Sequence, residues 1–258
     1  MSFVNYEQDE HVCVITLNRP ERLNAMSPEM KTEFLDAMRT FEETESARVA
    51  ILTGAGRSFC AGRDLKSQAE GYAQGDGKMV PLHYNSEYNL FGMPDTNKPI
   101  VAAVNGFAMG LGWYMVLDCD IRVAAAGAQF AMSEVPTGAL GPYWLAGTDI
   151  MPWPVAAEIA MIGDRLPAER LLALNLLNAV VPPEELMDEA MRWAKKIAAL
   201  PPQHVQQTKK LMRQMRSLPD QDMARQETEA RLFLGPREDS REAVLAWTER
   251  RPAHYTGR

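Results

Sequence analysis

Residues Pro99–Trp144 read PIVAAVNGFAMGLGWYMVLDCDIRVAAAGAQFAMSEVPTGALGPYW, and this stretch decides the fold. Ile100 to Val104 is a short apolar run without a charge, the pattern of a strand buried on both faces. Asn105-Gly106 breaks the run, and Gly110-Leu111-Gly112 lets the backbone approach whatever lies beside it. The apolar segment Trp113 to Leu117 reads as a helix that starts at those glycines. Ile121 to Ala125 and Gln129 to Met132 are two further strand-like runs, and the second delivers a lone carboxylate, Glu134, into a Pro/Gly-rich loop. A helix start offers unpaired N–H groups and a partial positive charge, so it suits a negative charge that develops nearby. Strand, glycine turn, buried helix, strand, acid: the order is that of an active site.

The flanking sequence repeats the alternation. Val12 to Leu17 reads as a strand that stops at Asn18-Arg19-Pro20. Ser27-Pro28-Glu29 is a helix start, with Ser27 as N-cap and Pro28 at the first helical position. The helix carries one apolar stripe of Met30, Phe34, Leu35, Met38 and Phe41. Val49 to Leu52 is the next buried strand. This succession predicts an α/β architecture. From Ser67 to Asp95 the pattern weakens into glycines and polar residues, with a helix predicted around Tyr84 to Gly92. That segment reads equally as cover for a pocket or as a surface excursion. After Trp144 the chain turns helical. Helices are predicted over Pro154–Gly163, Pro167–Ala173 and Pro183–Leu200, and then one in QHVQQTKKLMRQMR and one in the final RLFLGPREDSREAVLAWTERR. Pro201-Pro202 is the boundary between core and C-terminal part.

The chain has 258 residues, enough for a large core. Its net charge of −7 argues against nucleic acid or an anionic membrane as partner. An anionic substrate then needs local basic groups. Cys13, Cys60 and Cys119 have no metal-like spacing and read as reduced thiols, which suits a cytoplasmic protein. The N-terminal MSFVNYEQDEHV has no apolar core, so no signal peptide is expected. No apolar run reaches the roughly 18 residues that span a bilayer.

VAAVNGFAMGLGW followed by CDIRVAAAGAQFAMSE resembles the central signature of the enoyl-CoA hydratase/isomerase (crotonase) family. LNRPERLNAM (Leu17 to Met26) and ILTGAGRSFCAGRDLK (Ile51 to Lys66) resemble two further family motifs, in the expected order. The resemblance implies a crotonase-like spiral of strand-strand-helix units with a helical C-terminal region. Residues 1–200 would carry the coenzyme A and active site, and 201–258 would serve oligomer contacts and site cover. It implies a homo-oligomer, a trimer or a dimer of trimers, and an acyl-CoA thioester substrate, with coenzyme A as part of the substrate and no separate cofactor or metal.

By the same resemblance, the backbone amides of Arg63 and Leu111 form an oxyanion hole, in which losing one donor costs about 3–4 kcal/mol. The main chain at Leu23, Ala25, Ala61, Arg63 and Leu65 would lie along the CoA, next to Asp64 and Gly110. Arg22 and Lys66 are phosphate candidates. The Arg63 side chain has three open directions: the acyl pocket, a phosphate or away from both. Glu134 falls on the family's second catalytic glutamate and is the expected acid/base. The departure is Tyr114, which stands where typical hydratases carry their first glutamate. Tyrosine, with a pKa near ~10, is a poor base at neutral pH but a competent hydrogen-bond donor. Asp118, one helical turn on, is either a structural hydrogen-bond partner or a catalytic group. Tyr143 and Trp144 are expected to line the acyl pocket and to select a bulky or cyclic group, with Trp113, His83 and Tyr84 as further pocket candidates. Enoyl-CoA hydration or double-bond isomerisation is the expected reaction. Acyl-CoA hydrolysis, C–C cleavage or decarboxylation, and a non-catalytic acyl-CoA or protein binder, are the alternatives.

Overall fold

The chain opens with a hairpin. Strand β1 (Val4–Asp9) pairs antiparallel with β2 (Val12–Leu17) through a turn in which Glu10 takes a positive φ of 49°. The polar sequence of β1 hides it as a strand: only Val4 is buried, and the backbone of β2 supplies the pairing. Helix α1 (Pro28–Glu43) comes next, capped by Ser27, whose Oγ accepts from the Met30 amide at 3.3 Å. Met30, Phe34, Met38 and Phe41 of its expected stripe are buried. These elements belong to a computed structural model that describes residues 2–64, 93, 96–137, 151–214, 220–234 and 237–258.

From here strands come in pairs. Strands β3 (Val49–Gly54) and β4 (Ser58–Cys60) are followed by β5 (Ile100–Val104) and β6 (Phe107–Met109), then helix α2 (Leu111–Asp118). Strands β7 (Ile121–Ala125) and β8 (Gln129–Ala131) form the third pair, followed by helix α3 (Trp153–Ile162). A short β9 (Leu166–Pro167), helix α4 (Ala168–Ala173), strand β10 (Ala179–Val181) and helix α5 (Leu186–Ala198) complete the core. The first strand of each pair enters a six-stranded sheet, in the order β1-β2-β3-β5-β7-β10. The second enters a four-stranded sheet, β4-β6-β8-β9. All neighbours from β2 to β10 in the larger sheet are parallel. The chain therefore winds as a spiral of strand-strand-helix turns, the crotonase fold.

The larger sheet is covered on both faces, which is why its strands read as unbroken apolar runs. Val49, Ile51, Val101, Ala103 and Val123 meet Leu186, Ala190, Ala194 and Ala198 of α5. Alternate residues Ala50, Leu52, Ala102, Val104 and Ala124 face the main core with α1 and α2. Gly112 through Leu117 of α2 are all buried. At its C-terminal end the Arg122 guanidinium donates to the Leu117 and Cys119 carbonyls at 2.6 and 3.1 Å, a cation placed against the negative pole.

Helix α6 (Pro202–Gln214) is tied to the core by charge. Lys209 Nζ meets Asp120 Oδ2 at 2.7 Å and the Lys98 carbonyl at 2.8 Å, and Arg213 meets Asp118 at 3.6 Å. The final stretch departs from expectation. Where the sequence predicts one helix, the chain forms α7 (Asp220–Leu234) and a separate α8 (Glu238–Glu249). Between them stands Pro236, which has no amide hydrogen to continue a helix. The tail folds back onto α8: the amides of Thr256 and Gly257 each donate to the buried Asp239 carboxylate at 2.8 Å. The three cysteines are buried and form no disulfide. No helix among the described residues is long and apolar enough to cross a membrane.

Candidate active site

The smaller sheet builds the site. Its strands β4, β6 and β8 run parallel, with Cys60 opposite Ala108 and Met109 opposite Ala131. Parallel register brings three carboxyl ends to one edge, the place where α/β sheets hold ligands. The residues just past each strand are therefore collected at that edge: Ala61-Gly62-Arg63 after β4, Gly110-Leu111 after β6, and Glu134 after β8. The Gly110 amide donates to the Ala131 carbonyl at 2.8 Å, which fixes the second turn against the third.

The contacts are close enough to explain the glycines. Gly62 has φ +95°, and a Cβ there would lie 2.9 Å from the Met109 carbonyl oxygen and 3.7 Å from the Leu111 amide nitrogen. Gly110 has φ +50°, and a Cβ there would lie 3.0 Å from Glu134 Oε1. Both positions need left-handed backbone, and at Gly62 a side chain would also run into the Met109 carbonyl. The Glu134 carboxyl thus sits directly over the turn that starts α2, with the positive end of that buried helix beneath it.

Burial pushes the Glu134 carboxyl above the usual carboxylate range; the nearby Tyr114 hydroxyl, its own backbone, and the Arg63 charge act the other way. Tyr114 is 3% exposed, within the first turn of α2. A carboxyl held in this state binds a proton more readily than a solvated one, which is the property a proton-transfer group needs.

A third strip of backbone runs alongside. Met26 and Arg63 form a parallel bridge, in which the Met26 amide donates to Gly62 O at 2.8 Å and the Asp64 amide to Met26 O at 3.2 Å. The Arg63 amide therefore points away from Met26, because successive peptide groups of an extended chain face opposite sides. The Ala61 amide donates to the Leu23 carbonyl at 3.0 Å. So Leu23, Ala25, Ala61 and Arg63, four backbone positions expected to share a ligand, do lie together. Two residues outside the expected set hold them there. Asn24, fully buried with φ 54°, donates to the Ala55 and Ser58 carbonyls at 3.0 and 2.7 Å and accepts from the Arg19 amide at 2.8 Å. Arg19 pairs with Asp64 at 2.7 Å and donates to Ala25 O at 3.1 Å. Asn24 had a legible signal, since Asn accepts left-handed backbone and bonds locally.

A sequence model of the enoyl-CoA hydratase/isomerase family matches residues 7–258. The chain belongs to that family. It is 33% identical to (E)-benzylidenesuccinyl-CoA hydratase of Thauera aromatica, over 98% of this chain and 99% of that one. It is 31% identical to 1,2-epoxyphenylacetyl-CoA isomerase of Escherichia coli (strain K12), over the full length of both. The crystal structure of enoyl-CoA hydratase from Mycobacterium tuberculosis H37Rv matches all of both chains, with 33% identity and a TM-score of 0.89. As a member of the enoyl-CoA hydratase/isomerase family, the chain is an enzyme of the hydratase and isomerase type.

The remaining candidates of this family member divide. Asp64, buried, is engaged by Arg19. Trp113 is 1% exposed and packs edge-to-face on Phe130, with ring centroids 5.1 Å apart, so its ring belongs to the core. Asp118 pairs with Arg213 of α6, which supports the structural one of its two readings. Arg22 is exposed at the end of the short 3-10 turn Pro20–Arg22. Leu65, Lys66, His83, Tyr84, Tyr143 and Trp144, like the segment from Ser67 to Gly92, lie outside the described residues.

Proposed function

We propose that the enzyme binds an acyl-CoA thioester with its carbonyl oxygen between the Arg63 and Leu111 amides and moves a proton with Glu134. The observation that carries the reading is the meeting of three strand ends, which sets Glu134 Oε1 3.0 Å from the Cβ position of Gly110 beside both turns. Two amide donors aimed at the oxygen stabilise an enolate. Glu134 then removes a proton from one carbon and returns it at another, which is sufficient for double-bond isomerisation. Hydration needs water to be oriented as well, and Tyr114 supplies a hydroxyl beside the same carboxyl. The CoA lies along Leu23, Ala25, Ala61, Arg63 and Leu65, with Arg22 and Lys66 on its phosphates. The relatives named for benzylidenesuccinyl-CoA and 1,2-epoxyphenylacetyl-CoA support a bulky or cyclic acyl group, which Tyr143 and Trp144 suit. The assembly proposed is a cytoplasmic trimer or dimer of trimers, and a monomer in light scattering rejects it.

The test is incubation with crotonyl-CoA, 3-hexenoyl-CoA and a cyclic enoyl-CoA in deuterated water, followed by mass spectrometry. The expected result is deuterium uptake with a shifted double bond, or a mass gain of one water. No change in any thioester overturns the reading.

A further inference from the structure

The side chain of Arg63 has no part in the chemistry assigned to its backbone amide. It is half-buried on the turn after β4, where the Met26 bridge holds the main chain in place. Among the described residues no carboxylate lies within ion-pairing distance of its guanidinium. Its sequence neighbour Asp64 is taken by Arg19 at 2.7 Å. Its charge reaches Glu134, but a catalytic acid/base tied into an ion pair would lose its proton affinity. A partly desolvated guanidinium without an anion is costly, and a planar fork of donors matches a carboxylate in two-point geometry.

We infer that Arg63 is a specificity residue that receives a second carboxylate on the acyl group, so that the preferred substrates are monothioesters of dicarboxylic acids. The assignment rests on the acyl-CoA reading above, which places the Arg63 amide at the thioester oxygen. The CoA phosphates lie a full pantetheine arm away from that oxygen, whereas the acyl chain begins beside it. Arg63 therefore meets an anion of the acyl group before it meets a phosphate. The ion pair also shields Glu134 from the substrate's negative charge, since the guanidinium acts on both carboxylates.

The test is calorimetric titration of the full chain with succinyl-CoA, glutaryl-CoA and butyryl-CoA, three saturated thioesters that bind without a double bond to react. The wild type is expected to bind one of the dicarboxylic thioesters about tenfold or more tighter than butyryl-CoA, the scale of a charge-assisted pair. Arg63→Gln abolishes that preference, and Arg63→Lys keeps part of it because the charge remains and the fork is lost. Thermal melts check that both variants fold, and the wild-type comparison stands without them. Equal binding of all three thioesters by the wild type overturns the inference and leaves the acyl-CoA reading intact. So does an equal loss for all three in Arg63→Gln, which assigns the side chain to the thioester or the phosphates. Binding of none overturns the acyl-CoA reading and the inference with it.

Discussion

Arg19 Nη1 and Asp64 Oδ2 stand 2.7 Å apart, with side chains 14% and 6% exposed. The pair joins two loops separated by 45 residues, the turn after β2 and the turn after β4, on whose backbone the proposed CoA strip lies. Asp64→Asn leaves the nearly buried guanidinium only the exposed Glu21 carboxylate at 3.9 Å, and should cost about 3 kcal/mol of stability. Urea unfolding measures this directly. A midpoint unchanged from wild type would show that the pair holds nothing.

Glu134→Gln removes the ionisable group while keeping the shape over Gly110. Turnover should fall by about 10²–10⁴, the usual worth of a positioned acid/base. Affinity for a saturated acyl-CoA should stay within a few-fold, because the carboxyl makes none of the backbone contacts assigned to the CoA. Steady-state kinetics beside a binding titration separate the two effects. Wild-type turnover in the variant removes Glu134 from the mechanism.

The same substitution carries a stability prediction with a definite sign. Burial raises the native proton affinity of Glu134 above its unfolded value. Its contribution to stability is thus fully present below the unfolded pKa and is lost as pH rises through the native one. The permanently neutral Gln escapes that loss. Glu134→Gln should therefore gain on the wild type as pH rises from acid toward neutral, in thermal melts compared across pH. A gain that shrinks with rising pH contradicts the assignment.

Tyr114 acts on the carboxyl in the opposite sense, its nearby hydroxyl lowering the proton affinity. Tyr114→Phe should shift the acid limb of the kcat/KM profile to higher pH, since Glu134 then holds its proton longer. The plateau should drop much less than in Glu134→Gln. An unmoved limb together with a plateau loss as large as that of Glu134→Gln would make Tyr114 a reacting group instead of a tuning one.

Much of this was legible in the chain itself. The apolar runs at Ile100–Val104 and Ile121–Ala125 show the strands of the larger sheet because those strands are buried on both faces. Ser27-Pro28 announces the start of α1, and the Gly110-Leu111-Gly112 turn announces α2. Strands β4 and β6 were not legible, at three residues each, since no periodicity shows in so short a run. Strand β1 was hidden by its polar exposed face, whereas the break between α7 and α8 was legible at Gly235-Pro236, a pair that stops a helix.

For the site, the sequence determined the residue types and their order: two glycine turns, a tyrosine in the first turn of the helix, and a lone glutamate after a buried strand. Those depend on local backbone demands and on hydrophobic pattern, which each segment carries by itself. Only the tertiary structure decided that Glu134 rests over Gly110, that Gly62 abuts Leu111, that Asp118 answers to Arg213, and that Arg63 meets no carboxylate at ion-pairing distance among the described residues. Each of these is a distance between segments far apart in sequence. Such distances are set by the parallel register of β4, β6 and β8 and by buried side chains such as Asn24, whose hydrogen bonds to the Ala55 and Ser58 carbonyls form only once distant segments have closed around it.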